Sequence, residues 1–528
     1  MTKKFVGIGF VLAALLLVVH LRILNDYGLT WDFHHHFFAG MHLVGQPITP
    51  ALTANLPFTE PDPRGTYKLP FGPLMTIAPV VTYLVFFKWL MVLTFDNAYN
   101  LAIVLSGIAG VFFFYLFLLE AFGFTTALAG LAFLALLPRY FGDLHNNMKD
   151  VPQGAAFTLA LWLFWRLVRH RRLKDLILAI AAFAVACNTK VNTMIVPVIA
   201  GAWLFLHKKF EARNRIRIYV YFLLAPLAAF LLWSLFWEHP IQQLLYIPQF
   251  FRDNTQNIEV LLAGHWYCSG MNVPWWYPLW YLAITTPLPI LLFFLIGLMS
   301  LMSQMRQKPL FSLLLLWFFL PLVRYVYPAM GVIDGIRHFE EVVFPLAAIA
   351  AIGAVRLAGL LPKGLVSLIG LISLVSLMGN IVAYHPYQIV YYNELVGGVA
   401  GAFGKYDLDY WGVSQKEAVA WVNTHAAKNA KVYIAMAADV AGMYLRPDLL
   451  PNLNHFGYDG SDYVILLNRQ SFLYRYFYAF DYLLTHQPIH TVSVHGVPLT
   501  WIFDNRVAKT PRQAPWWTGE DPCIKKYW

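Results

Sequence analysis

The sequence predicts a polytopic α-helical membrane protein of about eleven transmembrane helices, with a small extracytoplasmic α/β domain at its C-terminal end. Composition is the first reason: 59% of the 528 residues are hydrophobic and 12% are charged, against about a quarter charged in a soluble domain. That leaves too little charge to clothe several soluble domains, and it excludes a disordered chain. The second reason is a series of apolar runs approaching the ~20 residues that span a bilayer. The third is that these runs stop near residue 384, after which shorter alternating segments take over.

The first run, 5–23, follows Lys3 and Lys4 and ends at His20-Leu21-Arg22. A small-x-small cleavage site does not follow it, so it reads as an uncleaved helix with its lysines in the cytoplasm. Further runs fall at 72–94, 100–119, 124–138, 151–168, 175–188, 193–207, 217–236, 281–303, 309–326, 341–358 and 365–384. Basic clusters at 166–174, at 208–217, at Arg306/Lys308 and at Arg356/Lys363 decide which of them cross. If all crossed, every cluster would face away from the N-terminal lysines; withdrawing one run before residue 166 restores positive-inside order. The run withdrawn is 72–94, which Pro70 and Pro73 open, Pro79 interrupts and Lys88 charges. It becomes a juxtamembrane or re-entrant segment on the outer side.

The outer segments are then 24–99, 138–150, 188–192, 237–280, 324–341 and everything beyond the last run, dividing the chain into a membrane domain (1–384) and an α/β domain (385–528). In the second domain, Ser414 and Glu417 have capping-box spacing ahead of a helix over 416–425. The segments 432–436, 463–467 and 491–503 read as strands. The net charge of +10 belongs, in this reading, to cytoplasmic loops and not to a nucleic-acid surface. Cys187, Cys268 and Cys523 lack metal-ligand spacing, which excludes a zinc–cysteine site. Cys268 and Cys523 both fall outside, where a disulfide is permitted.

Chemistry-bearing residues gather on that outer side. Asp32, in Trp31-Asp32-Phe33-His34-His35-His36, stands just beyond the first helix. A carboxylate there is costly unless hydrated, paired or bound, so it is either a solvated loop acid or a general base facing a lipid-borne substrate. Consecutive histidines diverge, so the His run offers at most one or two ligands to a metal. The second outer loop carries Arg139, Asp143, His145, Asn147, Lys149 and Asp150, groups that bind anions or hold other side chains. Asp150 opens a helix with Pro152 in its first turn; it is an N-terminal cap or a second active-site acid. Lys149 and Arg139 are placed to contact phosphate or lipid headgroups. Lys68 and Lys190 are outer cations against the charge rule, for which snorkelling or an anionic substrate gives a reason. Arg337 and His338 precede the helix that re-enters at 341, where they hold a phosphate or salt-bridge with Glu340 or Glu341.

This layout resembles the C-type (GT-C) integral-membrane glycosyltransferases of the protein O-mannosyltransferase and aminoarabinose-transferase superfamily. The matching residues are Trp31-Asp32, Lys68-Leu69-Pro70, Pro138…Asn147…Lys149-Asp150-Val151-Pro152, Thr189-Lys190 and Arg337-His338…Pro345. The stretch from Tyr391 to Gly412 is similar to bacterial members with a periplasmic tail. The resemblance implies transfer of a sugar from a polyprenyl-phosphate carrier to a lipid, glycan or protein acceptor, on the outer face of the inner membrane, with inversion. It implies Asp32 as base or acceptor-organising group, Asp150 as a second acid, and the basic residues as the hold on the lipid phosphate. A divalent metal is left open, although Phe33 follows Asp32 where many members have Glu, and His338 stands in place of a Tyr. A transporter or flippase of a lipid-linked sugar is the alternative from another class. Paired half-repeats and mid-membrane polar groups would mark it, and the polar groups here gather on one face.

Overall fold

Prolines, glycines and charge set the ends of the long apolar helices. The computed structural model of the chain describes residues 3–47, 65–327, 329–473, 475–507 and 523. In chain order the helices are α1 (Lys3–Arg22), α2 (Phe33–Leu43), α3 (Leu74–Thr82), α4 (Phe95–Phe122), α5 (Phe124–Ala135), α6 (Pro138–Asp143), α7 (Asp150–His170) and α8 (Leu173–Thr189). They continue as α9 (Ile195–Leu206), α10 (Lys208–Leu231), α11 (Pro240–Asp253), α12 (Tyr277–Thr285), α13 (Leu288–Gln304), α14 (Pro309–Val323), α15 (Val343–Ala358) and α16 (Lys363–Ala383). Among the described residues, six helical stretches are long and apolar enough to cross a membrane: 3–22, 95–122, 150–170, 309–326, 337–358 and 363–383. Shorter apolar helices at 74–89, 124–135, 191–206 and 288–304 accompany them.

The bundle is packed as lipid-embedded helices are. Gly297 of α13 lies so close to α15 that a Cβ there would run into the carbonyl of Ile349, the close backbone approach that small residues permit between membrane helices. α1 and α16 turn apolar side chains outward, with Phe10 63% and Val375 62% exposed. In water such a surface would aggregate; against acyl chains it costs nothing.

Several elements depart from the sequence-based expectation. The run 281–303 is two helices, because Pro287 adopts an extended conformation between α12 and α13. The basic segment 208–217 is the start of α10 and not a loop. Within 72–94, the short α3 continues into a π-helical turn, Tyr83–Trp89. Beyond it, Met91 and Val92 stand exposed (80% and 64%). The segment 237–280, expected on the outer side, holds α11 and an antiparallel hairpin of β1 (Glu259–Leu262) and β2 (His265–Cys268). Cys268, at the end of that hairpin, is disulfide-bonded to Cys523.

Beyond α16 lies a four-stranded sheet of order β3-β4-β6-β5, with β3 (Val432–Ile434) parallel to β4 (Tyr463–Leu467). The segment expected as one strand over 491–503 is a hairpin of β5 (His490–Val494) and β6 (Val497–Asp504), turned at His495-Gly496. Helix α17 (Gln415–His425) lies on this sheet, and α18 (Phe477–Thr485) precedes β5. The capping box does not form. Ser414 donates its hydroxyl to the buried Asp409 carboxylate (2.7 Å), and Glu417 accepts from Tyr387. The nearby Asp409 and, from further along the chain, Thr500 and Tyr387 outcompete the cap.

Candidate active site

The connections on one side of the bundle converge. Thr30 donates to the Asn146 carbonyl (3.2 Å), and the Trp31 amide donates to that of Trp411 (3.1 Å). The first loop is thereby fastened to both the second loop and the chain beyond α16. Asp32 follows at the N-terminus of α2, where the helix dipole favours negative charge. Its carboxylate does not cap that helix; it accepts from Arg337 Nη1 at 3.0 Å. Arg337 also holds Asp334 at 3.2 Å and lies over the Trp411 ring at 5.1 Å. Asp32 is ringed by protein yet 49% accessible, so it faces an opening. Burial alone would raise its carboxyl, but Arg337 and His36 outweigh that and hold it below the ordinary carboxylate range.

A second pair stands beside the first. Asp150, first residue of α7, is bonded to Lys190, whose extended backbone ends α8. Asn147 supplies the cap expected of Asp150: its Oδ1 accepts from the Asp150 amide at 2.9 Å. The side chain of Asp150 is thereby released for Lys190. Lys149 is buried over the Phe71 ring (4.4 Å), and its Nζ has no hydrogen-bond partner. Burial pushes its ammonium well below the usual lysine range, Asp32 and Asp150 pull it back up, and Lys190 opposes them. Phe71 reaches this position because Gly72 passes against the carbonyls of Asn188 and Thr189, where a Cβ would collide.

Arg139 donates from Nε to the Tyr391 carbonyl (3.2 Å) and lies over the Tyr392 ring, with both terminal nitrogens unpartnered. Near it, both Glu340 oxygens and the Tyr410 hydroxyl are also buried without partners, and Asn147 stands against the buried Asp143 carboxylate. Each such group costs about 1–3 kcal/mol unless something polar meets it. A cluster of both charges and both hydrogen-bonding senses is the lining a polar, anionic ligand requires.

The structure thus brings Asp32, Asp150, Lys149, Lys190 and Arg337 together, with Arg139 and Asn147 adjoining. His338 sits at the rim, its Nε2 3.5 Å from Arg337 Nε and its carbonyl held by Arg324 and Tyr325. His145 turns away: it stacks on Tyr27 (3.8 Å) and meets His20 (3.1 Å) in a packed aromatic cluster. Lys68 is exposed and lies over the Tyr67 ring rather than beside the ion pairs. The His run diverges as α2 winds, His34 meeting Asp439 at 3.2 Å and His36 packing on Phe71. Among the described residues no group of three His, Cys, Asp or Glu converges as a metal would need. Asp32 and Asp150 each hold a protein cation already.

Sequence reading passed over Arg469. From just beyond β4 it donates to Asp334 (2.7 Å) and to the Tyr410 carbonyl (2.9 Å), and it packs over Trp31. No local pattern announces such a residue; only the tertiary fold does.

Known proteins share this architecture. Residues 76–237 match the family model described as dolichyl-phosphate-mannose-protein mannosyltransferase. No curated protein matches the chain by sequence. The fold is similar to that of ArnT from Cupriavidus metallidurans bound to undecaprenyl phosphate, with a TM-score of 0.54 at 13% identity, covering 98% of this chain and 100% of that one. The apo state of the same ArnT gives 0.52 at 13% identity, over 95% and 98%. The resemblance to the GT-C proteins is therefore present in sequence over one segment and in fold over nearly the whole chain.

Proposed function

From a chain of GT-C fold, we propose a membrane glycosyltransferase that moves a sugar from a polyprenyl-phosphate carrier to an acceptor on the extracytoplasmic side, with inversion. The observation that carries this reading is the meeting of Asp32, Arg337, Lys149, Asp150 and Lys190 from separate connections, over buried polar groups that lack partners. Such a lining suits a sugar phosphate at a membrane surface. The family match over 76–237 and the fold shared with an ArnT that binds undecaprenyl phosphate support the same donor class.

In this reaction the acceptor oxygen attacks the anomeric carbon while the bond from that carbon to the phosphate oxygen breaks. One displacement from the opposite face inverts the configuration. Asp32 takes the acceptor proton; held ionised by Arg337, it is present as carboxylate at neutral pH. The carrier departs as a phosphate anion, and a cation aimed at it lowers the barrier. Lys149 is the cation best suited, because its Nζ is uncommitted and an arriving phosphate would restore its charge. Lys190 and Arg337 frame the same region while holding Asp150 and Asp32. No step is routed through a metal. The outer-side assignment is supported by the positive-inside order of the basic clusters and by the Cys268–Cys523 bond, which suits an oxidising compartment.

The test is transfer from a purified polyprenyl-phosphate sugar. Asp32→Asn should reduce turnover by ~10²-fold or more while leaving donor binding intact. Turnover near that of the parent protein would remove Asp32 from the chemistry.

A further inference from the structure

A cavity of about 490 Å³ opens at the other end of the bundle from Asp150. It lies among the C-terminal ends of α4 and α7, the side of α9 and the turn entering α14. Phe122, Trp165, Trp203 and Phe311 line it, together with Arg169 and Lys308. Because α7 runs unbroken from Asp150 to His170, Arg169 lies about 28 Å along the helix from Asp150. The cavity and the candidate active site therefore face opposite sides of a hydrocarbon layer ~30 Å thick.

Depth and mouth differ in character. Trp165 and Trp203 are buried, and Trp203 spends its Nε1 proton on the Pro309 carbonyl at 2.7 Å, so the interior is apolar. Arg169 and Lys308 are exposed. Arg169 stands over Trp165 (5.0 Å) and Lys308 over Phe311 (4.9 Å), so aromatic walls hold both charges at the opening. Among the described residues no acid lines the cavity. The nearby Glu120 is already engaged by Arg166, His170 and Trp162.

We infer that this cavity binds the headgroup and upper acyl carbons of an anionic phospholipid from the leaflet at that end. Its volume fits part of a lipid and falls within the ordinary ligand range. Two cations at the mouth complement the phosphate, and the aromatic interior receives the first carbons of the chains. The occupant is taken to be a membrane lipid because the cavity sits at the level of headgroups, with an interior too apolar for a free ion.

Native mass spectrometry of the full-length protein released from nanodiscs tests this. Phosphatidylglycerol should be retained in preference to phosphatidylcholine. The double variant Arg169→Gln/Lys308→Gln should weaken retention by roughly 25-fold, about five-fold per basic residue near an anionic surface. The control Arg172→Gln/Lys174→Gln removes equal charge from neighbouring exposed positions outside the lining and should retain the lipid. If the first pair does not fold, Lys308→Gln alone should give about a five-fold loss. Equal retention of the two lipids, or equal losses in both double variants, would overturn the assignment. Displacement by excess inorganic phosphate would overturn it too, assigning the mouth to a free anion.

Discussion

Asp32 and Lys149 divide the proposed reaction between them, so their substitutions should separate cleanly. Lys149→Met removes the uncommitted amine, which an arriving phosphate would charge, from an already buried position and should weaken donor binding by ~10- to 100-fold, the worth of one charge-assisted hydrogen bond. Titration of a polyprenyl phosphate against the purified variant checks this; unchanged affinity would dismiss Lys149 from donor binding. Lys190→Met should behave differently, because it strands the Asp150 carboxylate, 8% exposed, without its cation. A loss of about 3–5 kcal/mol of stability is expected there. Asp143 gives a pH signature. Burial raises its carboxyl to about 7, against the pull of Arg139 and with a further push from Asp150. Ionising it costs more in the folded than in the unfolded chain, so it removes stability as pH climbs from the ordinary carboxylate value toward 7. Asp143→Asn should therefore narrow the difference in melting temperature between pH 5 and pH 8; an unaltered difference would count against this account.

At the scale of elements, the site depends on turns that bring helix ends into register. The turn at 66–73 is the clearest case: Gly72 passes against the end of α8, which lets Phe71 lie beneath Lys149. Gly72→Ala should cost about 1–3 kcal/mol, the range for forcing extra volume into packed structure. It should also lower activity, because turn and Lys190 must move apart. Thermal melting beside the transfer assay reads both. A fully stable and active Gly72→Ala variant would mean that this packing is slack. The same lesson holds for α7, where Asn147 caps the helix and leaves Asp150 free for Lys190.

For the whole molecule, the chain beyond α16 is part of the site. Arg469 grips Asp334, Asp334 grips Arg337, and Arg337 grips Asp32, a chain of ion pairs running from there to the candidate base. Both ends must then lie on one side of the membrane. Reporter fusions after residue 150 and at the C-terminus should give extracytoplasmic signals, and a cytoplasmic signal from either would overturn the orientation. The Cys268–Cys523 bond makes a companion prediction. In denatured protein, thiol reagents should find one cysteine, Cys187, without reductant and three with it. Equal labelling under both conditions would dispose of the bond.

Composition and charge order alone determined the apolar helical bundle, because membrane helices must satisfy their backbone internally and so announce themselves as long runs. That Asp32, Asp150, Lys149, Lys190 and Arg337 carry a function was equally legible, since each stands at the end of such a run where an ion needs a reason. Their pairing was not. Asp32 finds Arg337 across 305 positions and Asp334 finds Arg469 across 135, distances over which no local pattern carries information. Nor did the sequence separate His145 from its neighbours: it reads as part of the same polar loop, yet the turns between α6 and α7 direct it onto Tyr27 and Lys149 onto Phe71. The unformed Ser414 cap, whose hydroxyl also meets Thr500, and the Glu417 contact with Tyr387 have the same origin. Local propensity proposes an element, and partners distant in the chain decide whether its groups are spent there or elsewhere.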